Sequence, residues 1–69
     1  MPIVFAEVNT LYCVKRITGK DDVRNHLANL GFVEGAEVKV IQKVDGNLIV
    51  EVKGVRLALD RSLAQRIMV

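Results

Sequence analysis

The sequence predicts a mainly β domain: a short, strongly bent five-stranded sheet that closes on itself, with one amphipathic helix between strands 1 and 2. Three observations predict it. Residues 36–59 alternate valine and leucine with charged side chains and are divided by Asp45-Gly46 and Gly54, the pattern of strands joined by tight hairpins. Residues 21–30 place Val23, Leu27 and Leu30 at i, i+4 and i+7, the spacing of one helix face. The single proline is Pro2, so no later element is interrupted by one.

Residues 10–18, TLYCVKRIT, are β-branched and aromatic enough to form the first strand. Val14 and Ile17 are three apart, so they share a face only if the strand bulges or bends. Gly19-Lys20 turns the chain, and Asp21 or Asp22 supplies the N-cap. The helix that follows runs about ten residues, roughly 15 Å. Ala28 flanks its apolar stripe, and Arg24, Asn25 and Asn29 point away. Gly31 stands where a helix C-terminus favours a left-handed residue, with Phe32 packing back on the last turn. Gly35 takes positive φ in the turn that launches the second strand.

That strand, AEVKVIQKV, turns Val38, Val40 and Val44 inward and Glu37, Lys39 and Lys43 outward. Gln42 breaks the inward set, and Ile41 falls on the outer face. Asp45-Gly46 is the strongest hairpin signal, because a type I′ turn needs positive φ at both central residues. NLIVEVK returns with Leu48, Val50 and Val52 inward, and Gly54 makes a further turn. VRLAL aligns Val55, Leu57 and Leu59, Asp60 caps a helical turn RSLAQR, and IMV forms a last strand. Closing such a sheet removes its exposed edges. The expected architecture is a small SH3-like barrel with a helix across one end.

Length and composition narrow the function. The 69 residues make one domain, whose core supplies roughly 3–5 kcal/mol. One cysteine excludes an intrachain disulfide and agrees with a reducing compartment. No stretch approaches the ~20 apolar residues of a membrane span, and MPIVFAEVN lacks the basic start of a signal peptide. A cytoplasmic location and no direct membrane insertion are expected. Net charge is only +2, with Lys15, Arg16 and Lys20 the one loose basic group. Stacking aromatics are scarce, at 4%, which argues against nucleic acid. Neither a phosphate-binding loop with its lysine nor a CxxC pair occurs, and no enzyme activity is expected.

The candidate sites are few. Cys13 reads as a small buried residue or as a metal or redox thiol. His26, with Asp22 at i, i+4, makes at most a two-ligand surface site, and a firm site needs three or four ligands. Arg56, Arg61 and Arg66 read as surface charge or as a contact face for an acidic partner. Phe32 and Val33, at the helix–strand corner, read as packing or as an apolar contact patch.

The ordered set LANLGFVEGAEVKVI and GNLIVEVKGVRLALDRSLAQRIMV, with VKRITGKDDVRNHL upstream, resembles the FeoA family over residues 8–69. The matching positions are Leu27, Leu30-Gly31, Gly35, Val38, Val40, Gly54, Arg56, Ala58, Leu59, Ala64, Ile67 and Val69. Glu34 stands where members often carry proline, and Asn9 where many carry glycine. The resemblance implies a single FeoA-like SH3-like domain over residues 1–69. It also implies a non-catalytic accessory role in ferrous iron uptake, with a membrane iron permease that has a cytosolic GTPase domain as partner; the residues themselves predict no cofactor beyond weak transition-metal binding. Related domains sit at the C-termini of metal-dependent repressors, so a regulatory domain acting with a repressor is the alternative. A small nucleic-acid-binding barrel is the lesser one.

Overall fold

The computed structural model describes residues 1–69. A 3-10 turn, Ile3–Phe5, is followed by β1 (Leu11–Cys13), β2 (Arg16–Ile17) and α1 (Asp21–Asn29). Then come β3 (Glu37–Val44), β4 (Asn47–Val52), β5 (Val55–Leu59), α2 (Arg61–Ala64) and β6 (Ile67–Met68). Two antiparallel sheets result, one of order β1-β3-β4-β5 and one pairing β2 with β6. There are thus six strands where five were expected, and the helix follows the second strand.

The extra strand comes from the spacing of Val14 and Ile17. The expected first strand breaks at Val14-Lys15 and changes sheets. Its first half pairs with β3, Cys13 opposite Glu37. Its second half pairs with β6, Ile17 opposite Ile67. Between them Val14 is buried, donates its N–H to Ala36 O at 2.8 Å and accepts from Gly35 N at 2.8 Å. The next residue, Lys15, already donates to Met68 O at 2.7 Å.

Lys20 is the N-cap of α1, without a side-chain cap. Asp21 and Asp22, expected as caps, lie in the first turn, where their charge still complements the helix dipole. Asp22 Oδ1 accepts only from the adjacent Val23 N–H. The C-terminus is a Schellman motif: Phe32 N–H reaches Leu27 O and Gly31 N–H reaches Ala28 O, both at 3.0 Å. Gly31 sits at φ +109°. Leu27 and Phe32 are fully buried beside each other in the chain's core, while Val23 and Leu30 are half-buried.

The meander has two hairpins of the same kind. Asp45 and Gly46 have φ of +51° and +84°, Lys53 and Gly54 of +51° and +76°, as type I′ turns require. Asn9, in the position noted for glycine, has φ +65°. Val38, Val40, Leu48, Val50, Val52 and Leu59 are buried as expected. The strand β3 is out of phase at its far end. Val40 opposes Val50 but Gln42 opposes Ile49, so Ile41 is the extra residue of a bulge. Beyond it the faces exchange. Lys43 now opposes buried Leu48, and its ammonium escapes to Val4 O at 3.2 Å. Val44, expected inward, is exposed. Val55, at the tip of β5, is also exposed.

Asp60 caps α2 as expected, its Oδ1 accepting from Leu63 N at 2.9 Å and Ser62 Oγ at 2.7 Å. The N-terminal segment adds Ile3 and Ala6 to a core in which every buried residue is apolar. A Cβ at Gly31 would meet nothing closer than 3.6 Å, so Gly31→Ala costs backbone strain alone, about 1–2 kcal/mol. Urea unfolding should show a lower midpoint at unchanged slope, and Gly31→Asn a smaller fall. The hydrogen bonds from Leu63 N–H and Ser62 hold the Asp60 carboxyl below its ordinary 3.8. A depressed folded value gives stability that is present above the unfolded value and lost as pH falls through the folded one. The stability difference between wild type and Asp60→Asn should therefore be constant near neutral pH and shrink below about pH 4.

Candidate docking cleft

The strand switch leaves β2 beside the outer side of α1, and the corner after Gly31 fills the third side. The three enclose an open cleft of about 380 Å³. Its walls are Arg16 and Ile17 from β2, Asp21, Arg24, Asn25 and Ala28 from α1, and Phe32, Val33 and Glu34 from the corner. It exists because of side-chain size. Ala28 faces it with a single methyl, while Leu27, the buried residue of the helix, points to the core.

The cleft has an apolar floor and a charged rim. Ile17 is half-buried, Val33 is 40% exposed, and Phe32 lies beneath at zero exposure. Arg24 meets Asp21 at 3.6 Å on the helix surface, an exposed pair of little energetic weight. Arg16 has no ion-pair partner. An apolar side chain can fill the floor while a carboxylate beside it meets the free guanidinium.

A second cleft of about 340 Å³ lies on the outer sheet face between Leu11, Glu37, Lys39, Glu51, Lys53 and Gly54. Its lining charges are two acidic and two basic side chains, Glu37, Glu51, Lys39 and Lys53. Lys39 stands opposite Glu51, and Arg56 Nε donates to Glu51 Oε2 at 3.4 Å. Leu11 is its one apolar lining residue, so it offers a partner less apolar surface than the first cleft.

The structure separates most residues singled out from the sequence. Val33 and Phe32 both belong to the first cleft, but Phe32 is core and cannot be an exposed contact. The arginines form no common face: Arg56 lies across Glu51, the Arg61 stem beside Gly46, and the Arg66 stem beside Gly19. Cys13, expected buried, is exposed, because the register turns Tyr12 inward with Val38 and Cys13 outward with Glu37. Its thiol points to Gly35 O at 3.5 Å. His26, Asp22 and Cys13 do not converge, and nowhere do three His, Cys, Asp or Glu side chains group to hold a metal ion. Arg16, Ile17 and Arg24 were missed as site residues. The loose basic group around Arg16 was their only signal in the sequence.

Comparison with known proteins decides the family. The family model of the FeoA domain matches residues 1–69. The chain belongs to the FeoA family. A curated relative from Methanocaldococcus jannaschii, "Putative Fe(2+) transport protein A", is 34% identical over 68 residues, covering 99% of this chain and 83% of the relative. A crystal structure of an iron uptake regulatory protein, also FeoA, is 30% identical, with TM-score 0.87 over 96% of this chain and 88% of the other. FeoA of Stenotrophomonas maltophilia, a prokaryotic SH3 domain protein crystallised with zinc, is 30% identical. Its TM-score is 0.85 over 99% of this chain and 87% of the other. A manganese-dependent transcriptional repressor shares the fold, with TM-score 0.87 at 17% identity, over 97% of this chain and 39% of the repressor. The FeoA domain here is thus a small, mainly β, SH3-like fold of a family named for ferrous iron transport, not for an enzyme. Its donor set does not fit a resident metal ion. Its exposed Cys13 should react fully with a thiol reagent under native conditions, at the rate of an unhindered thiol. A requirement for denaturant would contradict the register of β1.

Proposed function

We propose that the chain is a non-catalytic, cytoplasmic accessory protein of ferrous iron uptake. It docks through the α1–β2 cleft on the cytosolic GTPase region of the iron permease and modulates it. The observation that carries this reading is the cleft itself, an apolar floor of Ile17, Ala28 and Val33 beside the unpaired Arg16. Family membership supplies the transport system. The S. maltophilia relative is described in terms of ferrous iron transport activation, which supports the same direction. No helix is long and apolar enough to cross a membrane.

Modulation by docking has one physical route. The FeoA domain must bind one conformation of the GTPase region more tightly than another, because equal affinity shifts no equilibrium. An apolar anchor with a charge beside it suits that task. Burial supplies affinity, and the geometry of the arginine fork supplies selectivity.

Titrating the labelled chain with the GTPase region should move the amides of Arg16, Ile17, Arg24, Val33 and Glu34 together. Val33→Asp should weaken binding at least about tenfold, with the thermal midpoint of the free chain unchanged. Shifts confined to the outer charged face would overturn the cleft assignment. Absence of binding to the whole permease would overturn the transport reading and turn the test to a metal-dependent repressor.

A further inference from the structure

The strand β5 lies at the edge of the four-stranded sheet and has β4 as its only strand neighbour. The turn before it fixes which backbone groups are used. In a two-residue type I′ hairpin the flanking residues, here Val52 and Val55, exchange both hydrogen bonds. The alternation then gives Leu57 to Val50 and Leu59 to Leu48 as bonded pairs. Arg56 and Ala58 turn their N–H and C=O away from β4. No backbone hydrogen bond outside the ladder involves residues 55–59. Nor is this edge guarded in the usual ways, since it has no proline, lysine or bulge. Its one charge, Arg56, is drawn toward Glu51.

We infer that β5 is a homodimerisation edge, on which two copies of this chain pair antiparallel about a two-fold axis through Leu57. The occupant follows from symmetry. The free groups stand one residue to each side of Leu57, so the axis brings each donor to an acceptor. Arg56 N–H meets Ala58 C=O of the second copy, Ala58 N–H meets Arg56 C=O, and the axis repeats both bonds. Other registers are worse. An axis through Arg56 opposes two guanidiniums, and like charges directly opposite are destabilising. An axis through Ala58 calls on Asp60, whose carbonyl already accepts from Ala64 N at 3.0 Å. In the Leu57 register Val55, 57% exposed in one copy, packs beside Leu59 of the other.

Five residues a side is well below the ~800 Å² per partner of a standard interface, so the dimer is weak. The edge shares no residue with the α1–β2 cleft, and the inference does not depend on the docking proposal.

Sedimentation equilibrium of the full chain, from about 20 μM to about 2 mM, should show the average mass rising from 7.7 kDa toward twice that value. Over the same range, amide exchange should slow at Arg56 and Ala58 and stay unchanged at Val55, Leu57 and Leu59. Ala58→Glu places a carboxylate opposite Arg56 of the second copy and should tighten association about 3–10-fold over two symmetric pairs. Ala58→Lys should loosen it by a similar factor. Both changes sit at an exposed position, and an unchanged thermal midpoint in dilute solution verifies the fold. A mass fixed at that of one chain for both wild type and Ala58→Glu overturns the inference. So does association whose slowed amides lie elsewhere, or both variants moving affinity in the same direction.

Discussion

The structure depends on how one residue, Val14, is held. Its side chain is in the core while its N–H and C=O are bonded to Ala36 and Gly35. That pair of hydrogen bonds ends the β1–β3 ladder at a fixed place. It also ties the helix–strand corner to the point where the chain leaves one sheet for the other. One residue further, Lys15 N–H is bonded to Met68 O. A chain of this length has a single core, and loss of this crossing would uncouple the two sheets that enclose it.

The corner is the consequence that matters for function. Gly31 ends α1 in a Schellman motif, which swings Phe32 under the helix. Gly35 then donates its N–H to Val14. Val33 and Glu34 are suspended between these two anchors and have nowhere to go but the surface. The two glycines so close in sequence therefore do different work: the first stops a helix, the second clamps the loop to the strand crossing. The cleft is the space left between that clamped loop, the short Ala28 side chain and β2. Its walls are regular elements or anchored turns, which hold an interaction surface in place better than a free loop would.

What was legible in the sequence is what short-range physics specifies. The hairpin at Asp45-Gly46 follows from its own two residues, the Asp60 cap from the run behind it, and the end of α1 from Gly31. The break of the first strand was half visible, because Val14 and Ile17 at odd spacing demanded a bend without saying that the strand changes partners. Cys13 and Val44 were misplaced for one reason. Which way a strand residue faces depends on register, and register is set by a distant strand: β3 for Cys13 and, through the bulge at Ile41, β4 for Val44. The 3-10 turn has no periodicity to detect, since Ile3 and Ala6 are core only because the sheets leave room for them. The cleft was legible at Val33 and invisible at Arg16 and Arg24, which become neighbours only when β2 folds against α1.

The surface is divided unequally. The outer face of β3 and β4 carries Glu37, Lys39, Glu51 and Lys53 in a pattern that cancels locally. Such a face mixes both signs and presents an incoming partner with little net charge. Two places differ from that face in kind: the α1–β2 cleft, with its apolar floor beside Arg16, and the unpaired backbone edge of β5. In the proposed reading both act by binding. A protein whose influence is limited to binding acts by selecting among its partner's conformations, and its reach is bounded by the difference in contact between two of them. A cleft this size holds one or two side chains, so that difference is worth a few kcal/mol at most. That is enough to bias a switch which already samples both states, and too little to drive one that does not.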